Sequence, residues 1–216
     1  MKLIKENIET VKYITESAEN GKKKLFIEGT FLVGNEVNKN NRMYNMDTLR
    51  KEVDRYMTEY VDPGRALGEL GHPDTPTINL ERVSHKIVSL KESGNSFVGR
   101  ALILETPYGQ IVKNLIDSGV SLGVSSRGLG SMIQTKEGYN LVQDDFKLAT
   151  AADIVADPSA PGAFVDGIME HKEWMFVENR FVEVDIESAE KQIRKATKHE
   201  IESVALQLFE NFIRKL

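Results

Sequence analysis

The stretch 119–130, Gly-Val-Ser-Leu-Gly-Val-Ser-Ser-Arg-Gly-Leu-Gly, limits the possible folds of this chain more than any other. Apolar residues alternate with small ones from residue 120 to 125, which predicts a short strand with one apolar face. The density of glycine in residues 126–130 then predicts a turn. Ser125 would stand at the end of a buried strand, beside backbone N–H groups that a tight turn leaves free. Such a serine can act as a nucleophile, although a glycine-rich hairpin with a surface serine has the same pattern.

Composition limits the class of protein. The chain has 216 residues, of which 40% are hydrophobic and 28% charged, and this fits one soluble domain with a core. A formal net charge of −5 without a basic block argues against binding of nucleic acid. The absence of cysteine excludes disulfides, thiolate nucleophiles and cysteine zinc sites. With no apolar run near the ~18 residues of a membrane span and no signal region, we expect a cytoplasmic protein without membrane contact.

Charged segments flank the expected core. Residues 1–24 place isoleucine and valine at helical spacing before an Asn-Gly-Lys-Lys-Lys linker, and we interpret them as an N-terminal appendage. Residues 25–180 hold the alternating patterns of a folded domain. Residues 181–216 predict a charged helical tail, whose apolar stripe packs on the domain or binds a partner helix. The stripe consists of Ile201, Val204, Ala205, Leu208, Phe212 and Leu216.

Strand patterns dominate the middle of the chain. Residues 25–33 alternate, and residues 83–90 and 97–104 form a hairpin pattern around Lys-Glu-Ser-Gly-Asn. A helix is expected from Pro107, behind a Thr106 cap. Hairpin linkage without βαβ repetition indicates an α+β fold, with a mostly antiparallel sheet or barrel surrounded by helices.

Two further polar residues occupy unusual sequence positions. Pro73 holds the backbone of His72 extended, and Gly71 permits an unusual backbone angle before it, although a surface turn histidine has the same pattern. Asp153 lies in a strand pattern, residues 146–155, that is otherwise largely small and apolar. Burying an unpaired carboxylate is costly, so Asp153 should have a partner such as a histidine N–H.

His72, Ser125 and Asp153 have the composition of a serine-hydrolase triad, which geometry defines and chain order does not. A serine needs a base to take its proton, and a carboxylate holds the imidazole base in the right tautomer. Alternation favours Ser125 over Ser126, which would share the apolar face of the strand. The Arg127 side chain would add positive charge at a developing oxyanion. Backbone N–H groups that could stabilise the oxyanion belong to Ser126, Arg127 and Gly128.

Five motifs follow one another along the chain: Phe26-Ile27-Glu28-Gly29-Thr30-Phe31, residues 38–44, Leu67-Gly68-Glu69-Leu70-Gly71-His72-Pro73, residues 123–131 and Asp157-Pro158-Ser159-Ala160-Pro161. Together they resemble the prohead core proteases of contractile-tailed phages, from about residue 25 to about residue 175. That family is related in fold to the herpesvirus assemblins, which have a β-barrel ringed by helices, a serine nucleophile and a histidine base. The resemblance therefore implies an assemblin-like fold.

The resemblance also implies an activity. It is that of a serine endopeptidase inside the immature phage head, in the host cytoplasm, which cuts core or scaffold proteins, capsid protein precursors and itself. Cleavage follows glutamate, with leucine or isoleucine two residues earlier. His72 matches the family's motif histidine and Ser125 its serine. Asp153 is our choice for the third member, with His85 as the competitor and Asp157 and Asp166 behind it. We expect no cofactor or metal, and pairing in assemblins makes a homo-oligomer possible.

The cleavage rule gives the chain ends a possible role in self-processing. Matches toward the ends are Ile4-Lys5-Glu6, Ile14-Thr15-Glu16, Ile168-Met169-Glu170 and Leu208-Phe209-Glu210. Matches within the expected core are Leu67-Gly68-Glu69, Leu90-Lys91-Glu92 and Ile103-Leu104-Glu105. The sequence does not rank these sites. A glutamate pocket needs a cation or fixed N–H donors, and the sequence leaves five candidates unranked: Arg42, Arg65, Arg82, Arg100 and Arg127.

Two other readings compete with a serine protease. A non-enzymatic core or scaffold component of the same fold would also explain the charged tail and the amphipathic ends. A metal hydrolase would have to use His72, Asp74 and His85, but the sequence has no helical ligand pair such as H-x-x-x-H. If the protein is a protease, we expect a weakly active precursor that is switched on by confinement with its substrate.

Overall fold

The computed structural model describes residues 2–8, 11–17, 23–156, 173–177, 180–184, 193–196 and 201–213. Its strands are β1 (Lys2–Ile8), β2 (Val11–Ser17), β3 (Lys23–Val33), β4 (Arg42–Tyr44), β5 (Leu67–Glu69), β6 (Val83–Ser93), β7 (Ser96–Ile103), β8 (Gly123–Gly130), β9 (Met132–Gln134), β10 (Asn140–Val142), β11 (Lys147–Val155), β12 (Glu173–Val177) and β13 (Arg180–Val184). The helices are α1 (Met46–Tyr56), α2 (Pro107–Asp117) and α3 (Ile201–Ile213), with single helical turns at Met57–Val61 and Leu80–Arg82. No helix in these ranges is long and apolar enough to cross a membrane.

Two antiparallel sheets form the centre of the fold. One has the strand order β2-β3-β7-β6-β5 and the other β1-β8-β11. A parallel bridge between Leu70 and Ile154 links the end of β5 to β11. A smaller sheet, β4-β10-β9, contains one parallel pair, and β12 pairs with β13. The predicted combination of mostly antiparallel sheet with a few helices is confirmed.

The core draws on both sheets and on α1. Local patterns predicted its parts well: the β6–β7 hairpin forms, and Thr106 caps α2 by accepting a hydrogen bond from the Gly109 N–H at 3.1 Å. α1 buries the face that carries Leu49, Val53 and Tyr56, as their helical spacing requires. Other buried members of the core are Ile27, Phe31, Ile87, Ala101, Val124, Leu148 and Ile154.

The N-terminal segment forms strands, and the helix suggested by its spacing is wrong. β1 pairs with β8, and β2 pairs with β3, so the two strands extend both central sheets. β-branched residues favour strands. The edges of the two central sheets supply hydrogen-bond partners for the backbone of β1 and β2, so an extended conformation is satisfied there. Removal of residues 1–24 stays a prediction, as do the domain boundaries. The predicted helical tail, residues 181–216, contains α3, but residues 181–184 belong to strand β13 and are not helical.

The glycine-rich stretch also differs from expectation, because β8 runs from Gly123 to Gly130 without a turn. Residues 120–122 precede the strand and do not form part of it. A Cβ atom on Gly128 would lie 2.6 Å from Phe146 Cε2 and 2.7 Å from the Lys147 carbonyl oxygen. Glycine is therefore required at position 128 because neighbouring backbone and side-chain atoms approach closely. The glycine that had indicated a turn instead allows close packing.

Candidate active site

Ser125 and Asp153 lie opposite each other on two neighbouring strands. β11 pairs with β8, and its register shifts between Leu148 and Thr150 and again between Thr150 and Asp153. Such irregularities re-aim side chains within a sheet, and here they place Asp153 directly across from Ser125. Both residues are fully buried.

A tight loop after β5 brings His72 to these strands. Gly71 has a φ of +81°, which favours glycine, and its N–H donates to the Ile154 carbonyl at 2.8 Å. A Cβ atom at Gly71 would also lie 2.7 Å from a guanidinium nitrogen of Arg82. The backbone angle therefore favours glycine before the histidine, while the Arg82 side chain could shift to make room, and His72 is held at a defined position beside β8.

Ser125, His72 and Asp153 form a continuous chain of hydrogen bonds. The Ser125 Oγ lies 2.8 Å from His72 Nε2, and His72 Nδ1 lies 2.9 Å from Asp153 Oδ2. A carboxylate only accepts hydrogen bonds, so the Nδ1 proton is assigned to His72, which donates to Asp153. His72 Nε2 is then left to accept the Ser125 hydroxyl proton, which is the arrangement that a general base needs.

Burial and charge set the protonation states of this chain. Burial lowers the pKa of His72 below its usual 6.5 and outweighs the opposing hydrogen bond and charge of Asp153. Burial acts to raise the pKa of Asp153, but the hydrogen bond with His72 and the charge of Arg127 outweigh it and leave that pKa lowered. At neutral pH the site therefore holds a neutral imidazole beside a carboxylate.

Arg127 is fully buried behind Asp153 and links two buried carboxylates. Its Nε donates to Asp153 Oδ2 at 2.8 Å, and its Nη2 lies 3.2 Å from Asp153 Oδ1 and 3.1 Å from Glu69 Oε1. Its Nη1 donates to the Thr75 carbonyl. We expected this charge at an oxyanion. The hydrogen bonds instead direct the Arg127 guanidinium to Asp153, because buried carboxylates require a paired cation.

Two acidic residues that position the site escaped the sequence analysis. The sequence analysis named Glu69 only as part of a motif. A carboxylate among apolar and small residues singled out Asp153, and the same signal was present at Glu69. The Glu69 backbone N–H donates a hydrogen bond to Asp153 Oδ1 at 3.0 Å. Glu52 is 2% exposed and accepts a hydrogen bond from the Leu148 N–H at 2.6 Å, beside the register shift in β11. Its position on the apolar face of α1 was the available signal.

His85, the first competitor for the third position, has other hydrogen-bond partners. His85 is fully buried, which lowers its pKa, and its Nε2 donates to the Ala152 carbonyl at 2.9 Å. Its Nδ1 accepts from the Ser84 hydroxyl at 2.9 Å, so both ring nitrogens have partners other than His72, which the third member of a triad would contact. Asp157 and Asp166 lie outside the described residues. Of the three named metal-ligand candidates, His72, Asp74 and His85, each has a different partner.

The backbone N–H groups considered for the oxyanion lie within a central strand. Ser126, Arg127 and Gly128 belong to β8, which is flanked by β1 and β11. In an antiparallel sheet such groups point alternately to the two neighbouring strands. The group that faces β1 becomes available only if β1 leaves, and the oxyanion role of these residues stays a prediction.

Comparison with known proteins identifies relatives of this chain. Residues 5–173 match the family described as prohead core protein serine protease. The prohead core protein protease of Enterobacteria phage T4 is 41% identical over 144 residues, which cover 65% of this chain and 68% of that protein. The structure of the bacteriophage T4 capsid assembly protease matches with a TM-score of 0.67 and 36% identity, covering 71% of this chain and 97% of that one. The chain therefore belongs to the prohead core protein serine protease family.

Proposed function

We propose that the protein is a serine endopeptidase of phage head maturation, with Ser125 as nucleophile, His72 as general base and Asp153 as the third member. The observation that carries the proposal is the hydrogen-bonded chain from the Ser125 hydroxyl through His72 to Asp153. β8, β11 and the loop after β5 each contribute one member, although the three residues are far apart in sequence. Membership of the protease family supports the same assignment.

The geometry supports acyl transfer in two steps. His72 Nε2 takes the Ser125 proton as Oγ attacks the carbonyl carbon, and Asp153 stabilises the imidazolium that forms. Backbone N–H groups of Ser126, Arg127 or Gly128 stabilise the oxyanion. His72 then gives the proton to the leaving amine as the C–N bond breaks, and water hydrolyses the Ser125 ester by the same route.

The proposed substrates are core or scaffold proteins and capsid protein precursors inside the prohead in the host cytoplasm. The T4 relatives are named as a prohead core protein protease and a capsid assembly protease, which supports this choice. Cleavage after glutamate, with leucine or isoleucine two residues earlier, belongs to the same proposal. We also propose that the two central sheets correspond to the assemblin barrel and that the protein assembles into a homo-oligomer.

The rate of peptide cleavage is expected to rise with pH through a midpoint below 6.5. His72 acts in its neutral form, and burial lowers its pKa from 6.5, so the active form already dominates in mildly acidic solution. The measurement is kcat/KM for a peptide between about pH 4 and about pH 8. A midpoint at or above the usual histidine value would contradict the assignment of His72 as the base.

The proposed function is tested with the full chain, a peptide that contains Ile-Lys-Glu-Asn, and a serine-directed fluorophosphonate. We expect cleavage after the glutamate, an adduct on Ser125, and loss of cleavage in proportion to the adduct. An adduct on Ser126, or undiminished cleavage by fully labelled protein, would move or remove the nucleophile. If the chain cleaves no peptide and takes no label at any concentration, a non-enzymatic core component is the better description.

A further inference from the structure

A β-bulge in β11 decides which face of the sheet Asp153 occupies. Between two successive pairs of residues, Thr150 with Arg127 and Asp153 with Ser125, β11 has two residues where β8 has one. Without the extra residue, the pairing would continue with Asp153 opposite Val124, which is fully buried in the core. A shift by one residue exchanges the two faces of a strand. The bulge therefore carries Asp153 onto the face that holds Ser125.

Side chains hold the peptide group that comes directly before Asp153. Its carbonyl oxygen, that of Ala152, accepts hydrogen bonds from His85 Nε2 at 2.9 Å and from the Thr150 hydroxyl at 3.0 Å. A bulge disrupts the backbone ladder locally, and a buried carbonyl without a partner is costly. The two donors therefore stabilise the bulged conformation. Thr150 belongs to the bulge itself, whereas His85 lies on β6 and ties the bulge to the other central sheet.

A gap in β5 allows the imidazole of His85 to reach β11. Gly68 of β5 lies opposite His85 of β6, and the end of β5 bridges to β11. A Cβ atom on Gly68 would lie 2.1 Å from His85 Nε2 and 2.4 Å from the Ala152 carbonyl oxygen. The hydrogen bond between these two atoms thus occupies the space that a side chain at position 68 would need. It accounts for a glycine inside a buried strand, where glycine marks a close approach of this kind.

Ser84 fixes the tautomer of His85. A carbonyl oxygen only accepts hydrogen bonds, so the Nε2 proton is assigned to His85, and Nδ1 is left to accept from the Ser84 hydroxyl at 2.9 Å. Burial lowers the pKa of His85 below its usual 6.5, which keeps the ring neutral at neutral pH. Both side chains are fully buried, where solvent does not weaken such hydrogen bonds. The ring is therefore a single fixed donor directed at Ala152.

The carboxylate of Asp153 is held from the same side. Glu69 follows Gly68 in β5, and its backbone N–H donates to Asp153 Oδ1 at 3.0 Å, while Asp153 Oδ2 lies 2.9 Å from His72 Nδ1. Groups that act in catalysis have to be held within about 0.5 Å of their productive positions. A rotation of the peptide group before Asp153 would exceed that tolerance and would be passed on to His72.

We propose that His85 is a positioning residue of the protease, which, together with Thr150, holds the Ala152 carbonyl and so fixes the bulge that directs Asp153 to His72. This inference rests on the proposed function. His85 contacts neither the peptide nor the reacting atoms, and it acts through Asp153. Loss of its Nε2–H donor should lower kcat, because Asp153 then holds His72 less well. KM should change little, because no contact with the peptide is removed.

The test compares His85→Leu with His85→Gln in the full chain. Leucine has similar bulk and no donor, whereas the glutamine side chain carries an amide nitrogen that can replace His85 Nε2. For the Ile-Lys-Glu-Asn peptide we expect His85→Leu to lower kcat by at least about tenfold, since a displacement of about 1 Å can cost about 100-fold. KM should stay close to the wild-type value, and His85→Gln should recover most of the kcat. Equal kcat in wild type and His85→Leu, or equal losses in the two variants, overturns the proposal.

Leu90→Ala is the matched control for loss of core packing. Leu90 lies on the same strand as His85 and belongs to the core, but it pairs with Gly99 of β7 and is distant from the bulge along β6. We expect it to lower the thermal unfolding midpoint and to keep most of the wild-type kcat at a temperature where all variants are folded. If Leu90→Ala loses as much kcat as His85→Leu at equal stability, the effect of His85 is general destabilisation and the proposal is overturned.

The proton on His72 Nδ1 gives a readout that does not depend on turnover. It lies in the hydrogen bond to Asp153, and weakening of that bond moves its ¹H NMR resonance upfield. We expect an upfield shift in His85→Leu and a position near that of wild type in His85→Gln and Leu90→Ala. If His85→Leu does not fold, Thr150→Val decides, because it removes the other donor to the same carbonyl and should show the same shift and a loss of kcat. An unchanged resonance in the variant that decides overturns the proposal.

The wild-type chain separates failure of this proposal from failure of the proposed function. Cleavage by wild type that depends on Ser125, with the same kcat in His85→Leu, leaves the protease intact and removes the role of His85. No cleavage by wild type, together with no fluorophosphonate adduct on Ser125, overturns the protease and with it the role of His85.

Discussion

Replacing Ser125 with alanine is expected to lower kcat by about 10⁶-fold, as loss of the nucleophile does in other triad enzymes. The Ser125 hydroxyl is 2.8 Å from His72 Nε2, so alanine removes both the attacking oxygen and the proton that the base takes. Stability should change little, because a single neutral hydrogen bond contributes about 1 kcal/mol. Peptide cleavage and the thermal unfolding midpoint are the two measurements.

The matched control is Ser126→Ala, which removes the neighbouring hydroxyl and keeps its backbone N–H. We expect it to retain at least about a tenth of wild-type kcat, because the hydroxyl that contacts the base belongs to Ser125. Identical fragments at identical rates from wild type and Ser125→Ala would show that the proposed nucleophile does not take part in the reaction.

The site was predictable where local sequence carries its own physical reason. Gly71 and Pro73 on either side of His72 indicated a fixed backbone, and the structure shows the positive φ at Gly71. Asp153 stood out because a carboxylate among small apolar residues needs a partner, and its partners include His72, Arg127 and the Glu69 backbone N–H. In each case the signal lay within a few residues of the group concerned.

The parts that were not predictable depend on pairing between distant segments. β1 became a strand because β8 offers it a backbone partner more than a hundred residues away, and no local pattern reports such a partner. Gly128 of β8 was misread for the same reason, since a side chain there would collide with Phe146 and Lys147 on another part of the chain. Composition alone does not distinguish a glycine that turns from a glycine that makes room.

The position of Arg127 shows a third kind of limit. Its charge was expected beside the oxyanion because it follows Ser125 by two residues along the chain. In the fold, its guanidinium has two buried carboxylates as partners, Asp153 and Glu69. The energetic requirement to pair buried charges decides where such a side chain points, and the sequence alone did not show that Glu69 would be buried next to it.

Replacing Asp153 with asparagine is expected to lower kcat by about 10⁴-fold with little change in KM. An amide does not stabilise the His72 imidazolium, and it allows the imidazole to adopt the tautomer with the proton on Nε2, where it cannot accept from Ser125. The hydrogen bond and charge of Asp153 raise the pKa of His72 against the effect of burial. Their loss should therefore move the midpoint of the pH–rate profile to still lower pH, which a purely structural defect would not do.

The same substitution should reduce the free energy of unfolding by about 3 kcal/mol, because it leaves the buried Arg127 charge with Glu69 as its one remaining carboxylate among the described residues. Glu69→Gln is the matched control: it removes the other carboxylate and keeps the hydrogen bond between His72 and Asp153. It should lose comparable stability in urea unfolding but less than about tenfold in kcat at a temperature where both variants are folded. If both variants lose kcat equally, Asp153 acts by holding Arg127 in place, and its action on His72 is excluded.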